Sequence, residues 1–229
     1  VAVRSSSLLE DSHYQPFAGI YSTYMVPYTP DRELRLSLLE QAVKGVYASV
    51  FYRDSKAYMS ATSNVIDQEK MAVIIQEVIG ADHGDYYFPS FSGVGRSLNY
   101  YPLGNEEPED GVAEVAVGLG KYIVDGGRGL RFSPLHPEHV LQTSTLESTL
   151  RDTQTSLLAL RRDPSAESNR PVVDDGYNLR RLSIQEFAGT DALKWTVSTY
   201  NAQDGYIDDC DCGRGRRVVT FANILRDKA

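Results

Sequence analysis

The sequence predicts an α+β fold, mostly antiparallel sheet with flanking helices, and two observations carry that reading. Apolar and β-branched runs at 1–3, 71–79, 97–103 and 112–117 are separated by turns rich in Gly, Asp and Pro, as strands joined through hairpins are. Between the first two runs, 31–51 repeats apolar residues at helical spacing.

Val1–Val3 reads as a short buried strand that delivers Arg4 and the hydroxyls of Ser5, Ser6 and Ser7 into a polar loop. A guanidinium fork, hydroxyls and backbone N–H groups at a strand end match phosphate oxygens. Further on, Gly19 suits a backbone that approaches a ligand closely, where a Cβ has no room. Thr29-Pro30-Asp31 has the form of a helix start, a hydroxyl cap followed by proline and an acid. Leu34, Leu38, Ala42, Val46 and Val50, widened by Leu39 and Tyr47, then predict a helix to about Phe51 with that stripe buried.

Met71–Ile79 is almost wholly apolar and reads as a strand covered on both faces. After a turn from Gly80, Asp85–Phe88 begins the second strand of a hairpin, and Ser97–Leu103 and Val112–Val117 read as further strands. The acidic run Asn105–Gly111 between them reads as a solvated loop. Gly118 and Gly120 do not form a dinucleotide fingerprint, because the third glycine position is Ile123. Arg128 and Arg131 follow, and Arg131 is a candidate second anion contact. His136 and His139 have the spacing of a helical metal pair, but Pro137 breaks the helix that would align them, so no metal ligand is assigned. Thr143–Arg162 reads as an amphipathic helix on Leu146, Leu150, Leu157 and Leu158, ended by an exposed loop, DPSAESNRP. Leu179–Phe187, Ala192–Ser198 and Arg217–Leu225 fit strands or short helices.

Composition sets outer bounds. The 229 residues are 41% hydrophobic, an ordinary globular balance that can bury a sizeable core. No apolar run reaches the roughly 18 residues a membrane span needs, and no secretory leader pattern opens the chain, so a cytoplasmic protein without a membrane partner is expected. A net charge of -8, from 23 basic and 31 acidic side chains, argues against nucleic acid as a partner. A local phosphate contact remains compatible, since a distant acidic surface is screened over about 8 Å. Cys210 and Cys212 read as reduced thiols: one intervening residue strains a disulfide, and no nearby spacing completes a zinc set. No GxxxxGK[ST] is present, which disfavours a P-loop kinase.

VAVRSSSLLEDS, then FAG, then STYMVP resemble the nucleotide-binding half of the phosphoenolpyruvate synthase and pyruvate phosphate dikinase family, whose pattern is AVRSS, ED and FAG. The resemblance implies an ATP-grasp-like fold, with Arg4 and Ser5 on ATP phosphate and the loop through Phe17, Ala18 and Gly19 closing over the nucleotide. Ile75–Ile79 matches the family's VQxMV segment, which implies that the backbone of Gln76, Glu77, Val78 and Ile79 reads the adenine edge from a dry slot. VGLGKYIVDGG resembles WGLGExVVxG, with Gly118, Leu119, Gly120, Val124 and Gly126 in register. The resemblance implies that Gly118 and Gly120 are further nucleotide contacts, and Lys121, where the family carries glutamate, either places a new cation near the phosphates or faces water. Four departures stand out: Asp54 and Met59 where the synthases carry arginine, Asp85 near a glycine position, and Lys121 in place of glutamate.

The family's full enzymes pass a phosphoryl group from ATP to a histidine on a swivelling domain and then to pyruvate. None of His13, His83, His136 and His139 has the phosphohistidine context. The chain begins at an apparent interior strand without an initiator methionine, so a fragment is expected: 1–135 as the ATP-grasp portion and 136–229 as a family-variable continuation. Phosphohistidine and pyruvate domains are expected partners in the full-length chain. Mg2+ is expected with ATP, held by ligands outside the fragment, which should be inactive alone. The four departures leave an alternative, a non-catalytic nucleotide-sensing or partner-docking module.

Overall fold

The computed structural model of the chain describes residues 1–8, 10, 19–61, 69–162, 176–212 and 214–226. Its sheets are built from antiparallel pairs, with helices beside them, so the fold is the expected α+β. Two compact units form, one of Val1–Ile79, Gly84–Tyr87 and Leu160–Arg180, the other of Gly80–His83, Phe88–Ala159 and Arg181–Ala229.

In the first unit, β1 (Ala2–Ser7) lies between β2 (Tyr24–Met25) and β3 (Met71–Gln76). The opening strand is longer than expected: Arg4 and all three serines lie within it, because each pairs with a residue of β3 from Ile74 to Met71. Helix α1 (Arg32–Ser49) follows, capped by the Asp31 carboxylate, which accepts from the Glu33 and Leu34 N–H groups. Thr29 is therefore not the cap, and the helix ends two residues before Phe51. Leu38, Ala42, Val46 and Val50 are buried as the periodicity requires, and Leu34 and Leu39 pack at the margin, whereas Tyr47 is 49% exposed and does not widen the stripe. This face of α1 joins Val3, Tyr24 and Val26, with Met71 and Val73 at the border. One face of β3 is thereby covered. As an edge strand, β3 leaves Ala72, Ile75 and Gln76 exposed, so the expectation of a strand buried on both faces does not hold. A second helix, α2 (Arg53–Ala61), buries Ser55 and Met59.

Beyond Gly80 come β4 (Ala81–His83), a turn at Gly84 with φ +65°, and β5 (Tyr86–Phe88). In the second unit, β6 (Ser92–Arg96), β7 (Val112–Ala116) and β8 (Leu130–Phe132) form a three-stranded meander. The strand expected at Ser97–Leu103 is thus displaced to 92–96, where the register runs from Ser92↔Ala116 to Arg96↔Val112. A short helix, α3 (Lys121–Val124), lies between β7 and β8. The long helix expected over 143–162 is instead α4 (Leu146–Asp152), capped by Thr145, followed by β9 (Ser156–Arg161). Leu157–Leu160 is a continuous buried run, the signature of a strand covered on both faces rather than of one helix stripe. The segment DPSAESNRP lies outside the described residues.

The remainder comprises β10 (Leu179–Ser183), a 3-10 turn at Ile184–Phe187, β11 (Val197–Asn201), β12 (Tyr206–Asp208), β13 (Arg216–Val219) and α5 (Ala222–Leu225). β11 is central between β12 and β13. Cys210 and Cys212 are joined in a disulfide, against the expectation of free thiols. In the same turn the Thr199 hydroxyl donates to the Cys210 carbonyl at 2.8 Å and accepts from the Cys212 N–H at 3.2 Å, and the two Cα atoms lie 5.3 Å apart.

The one-sided stripe of α1 makes a paired prediction. Leu38→Ala, at a position 3% exposed, should lower unfolding stability by about 2–5 kcal/mol. Leu36→Ala, at 55% exposure on the same helix, should change it by less than about 0.5 kcal/mol in denaturant titrations.

Candidate functional site

Alternation along β1 decides what its polar residues can do. Val3, Ser5 and Ser7 point toward the α1 side and are buried, whereas Arg4 is exposed on the opposite face. Register places Arg4 opposite Ile74 and Ala2 opposite Gln76, so Arg4 and Gln76 share the outer face of one sheet. Two of the sequence-derived candidates are thereby brought together.

Ser5 has a different role from the one expected. Its hydroxyl donates to Glu10 Oε1 at 2.7 Å, while the Ser7 N–H donates to Glu10 Oε2 at 2.9 Å and the Glu10 N–H to the Ser7 hydroxyl at 3.1 Å. The inward serines hold a carboxylate rather than offering hydroxyls to a ligand. Sequence reasoning assigned Glu10 no role, although it is the acid of the ED pair that follows the serines. Nearby, the Tyr21 hydroxyl donates to Glu69 Oε2, and burial, with that bond next, pushes the phenol well above its ordinary pKa. Tyr21 also packs with Val50 and Met59 in a small core, so Met59 is 5% exposed and faces apolar neighbours. Asp54, the other departure on α2, is exposed in the first helical turn.

Phe17 and Ala18 lie outside the described residues. Gly19 has φ +80°, a conformation that favours glycine, and among the described residues no atom lies within 4 Å of a built Cβ. Gln76 ends β3, and Gln76, Glu77 and Ile79 are exposed while Val78 is half-buried. The Val78 carbonyl accepts from the Tyr87 hydroxyl at 3.1 Å. The side chains of this segment are thus largely exposed, including Ile75, which pairs with the buried Val3.

In the second unit, β7 runs into the glycine turn and α3. Gly118 has φ +87°, and a Cβ there would lie 2.7 Å from the Leu158 carbonyl oxygen. That carbonyl accepts from the Leu119 N–H at 3.0 Å. The Gln154 side-chain amide grips the peptide groups of Val117, accepting its N–H at 2.8 Å and donating to its carbonyl at 2.9 Å. Ser92 Oγ donates to the Gly118 carbonyl at 2.7 Å. Gly120 is helical in φ and has room for a methyl group, with Ser92 3.6 Å from a built Cβ. Lys121 Nζ lies 3.1 Å from Asp125 Oδ1, an ion pair one helical turn on.

Arg131 is committed within the chain. One of its terminal nitrogens donates to Asn99 Oδ1 at 3.1 Å, the Tyr101 carbonyl at 3.0 Å and Glu106 Oε2 at 3.3 Å. Glu106, whose side chain is 9% exposed, also accepts from Asn99 Nδ2 and the Leu103 N–H. The acidic run is therefore more than a solvated loop: Glu106 and Arg131 fasten 99–106 to β8. Arg128 donates to the Arg151 carbonyl at 2.9 Å.

Comparison with known proteins bears on both units. The family model described as the AMP/ATP-binding domain of pyruvate phosphate dikinase matches residues 1–192, past the last motif legible in the sequence. The uncharacterized phosphotransferase YvkC of Bacillus subtilis (strain 168) is 32% identical over 126 residues, which is 55% of this chain and 13% of that protein. The matched segment thus spans about an eighth of the relative's length. Among the described residues, no helix is long and apolar enough to cross a membrane.

The two glycines of the turn should respond differently to substitution. Gly118→Ala combines a positive φ with a backbone clash and should destabilise by at least about 2 kcal/mol, whereas Gly120→Ala should stay within about 0.5 kcal/mol, both read from thermal or denaturant unfolding.

Proposed function

Since the chain belongs to the AMP/ATP-binding domain family of pyruvate phosphate dikinase, we propose that it is the ATP-binding part of a phosphotransferase of the phosphoenolpyruvate synthase and pyruvate phosphate dikinase type. In the full-length protein, a phosphoryl group passes from ATP to an enzyme histidine and then to pyruvate, on phosphohistidine and pyruvate domains of the same cytoplasmic chain. The observation that carries this reading is the family match over 1–192 together with Arg4 on the open face of β1.

Arg4 is the phosphate contact of this proposal. A guanidinium standing out from the central strand of a paired sheet has a fixed base and an accessible fork, the combination that suits phosphate oxygens. Ser5 supports it indirectly, by fixing Glu10 on the far face. Gly19 contributes to covering the nucleotide, Phe17 and Ala18 lying outside the described residues, and the backbone of Gln76–Ile79 reads the adenine edge. Gly118 and Gly120 shape the second nucleotide-facing turn, where Lys121 supplies the cation. Arg131 completes the set, with one of its terminal nitrogens already engaged by Glu106, Asn99 and the Tyr101 carbonyl. ATP-grasp architecture, with 1–135 as nucleotide-binding portion and 136–229 as variable continuation, is part of the same proposal.

Mg2+ demands hard oxygen ligands. Among the described residues, the group of potential ligands that clusters is His136, Glu138 and His139, an imidazole-rich set that does not fit Mg2+. We place the magnesium ligands outside this chain and expect the isolated chain to bind nucleotide without turning it over.

A second reading, a non-catalytic nucleotide-sensing or docking module, draws support from Met59. Where the synthases carry arginine, this side chain is sealed in a core with Tyr21 and Val50. The two readings separate on the full-length polypeptide: AMP formation from ATP in the presence of pyruvate supports the phosphotransferase, and ATP binding without consumption supports the module. On the same polypeptide, Arg4→Ala should weaken Mg-ATP binding by at least about 1.5 kcal/mol, roughly tenfold, in calorimetry. Unchanged affinity would remove Arg4 from the site.

A further inference from the structure

Pro137 forbids the helix that would align His136 and His139 as metal ligands. The structure reaches the same alignment by another route. Ser133 is fully buried and bridges to His136 in an isolated antiparallel pair. The His136 N–H donates to the Ser133 carbonyl and the His139 N–H to the His136 carbonyl, both at 3.0 Å. Two successive turns result, with Pro137 fixing φ between them. The imidazoles of His136 and His139 face each other with centroids 6.0 Å apart and planes inclined by 29°. Glu138 lies between them in sequence, its carboxylate 3.9 Å from His139 Nδ1.

From this arrangement we propose that the turn 136–139 binds one borderline-soft divalent transition-metal ion of the zinc class through His136, Glu138 and His139. One donor atom from each residue lies within 4.8 Å of the other two. In tetrahedral coordination, donors about 2.0–2.1 Å from a common ion stand roughly 3.3–3.4 Å apart, so movements of up to about 1.5 Å, within reach of side-chain rotation on an exposed turn, close the set. Two imidazoles and a carboxylate are ligands that Zn2+, Co2+ and Ni2+ accept and that Mg2+ and Ca2+ do not favour. Three protein ligands on an exposed turn leave a coordination position for water or an exogenous donor. The Asp110 carboxylate, mostly buried and 3.9 Å from His136 Nε2, places a further negative charge beside the cation. The Cys210–Cys212 pair is closed as a disulfide and supplies no thiolate to a competing site.

This site is independent of the nucleotide reading, and its test uses no ATP. Calorimetric titration of the whole chain with Zn2+ should show one equivalent bound, insensitive to millimolar Mg2+. Affinity should fall on acidification, since protons compete for both imidazoles. His139→Ala should weaken binding by at least about tenfold, and Glu138→Gln should weaken it as well. Both positions are exposed, so circular dichroism should report an unchanged fold in the variants. Co2+ bound in place of Zn2+ should give visible bands without thiolate charge transfer. A wild-type chain that binds no Zn2+, or binds it no more tightly than His139→Ala or Glu138→Gln, overturns the proposal.

Discussion

The alternation of β1 is the constraint on which the first unit depends. Because Val3 must enter the core beneath α1, Ser5 and Ser7 are carried inward with it and Arg4 outward. A one-residue slip would bury the guanidinium and expose the valine, so packing alone selects the face on which the charge stands. Glu10 reinforces the choice, since its carboxylate accepts from both Ser5 and the Ser7 backbone. Buried hydroxyls need partners, and here one acid answers for two residues of the strand. Specificity of register and availability of Arg4 are thus a single consequence of hydrophobic burial.

The sequence made some of this legible and hid the rest for identifiable reasons. Helix α1 was readable because its stripe repeats over five positions and its neighbours are polar. Its cap was misplaced by two residues because Thr29, Pro30 and Asp31 all carry start signals, and only geometry shows that the Asp31 oxygen reaches the next N–H groups. The strand at 156–161 was hidden by Leu146, Leu150, Leu157 and Leu158, whose spacing also fits a helix; a short apolar run does not distinguish the two. β6 was hidden by its glycines, which carry no pattern. Gly93 is nonetheless required, since a Cβ there would meet the Glu114 carbonyl oxygen at 2.7 Å.

At the candidate site, the motif residues were legible as types but not as roles. AVRSS predicted a phosphate-seeking arginine, and Arg4 is accessible; it also suggested ligand-facing serines, and Ser5 faces a carboxylate. Roles of this kind depend on which neighbour arrives from elsewhere in the chain, and spacing does not encode that. Arg131 illustrates the same limit. Two arginines after a glycine turn suggest an anion, yet the partner is Glu106, 25 residues earlier and masked in the sequence by an acidic run.

The grip of Gln154 on Val117 has a wider meaning. A side-chain amide presents a donor and an acceptor in one plane, as a peptide group does, so it can stand in for a missing neighbouring strand. It does so without net charge. The glycine turn is therefore stiffened by a neutral crosspiece, and the electric field around it is left to Lys121 and Asp125, groups that can exchange partners without loosening the turn itself.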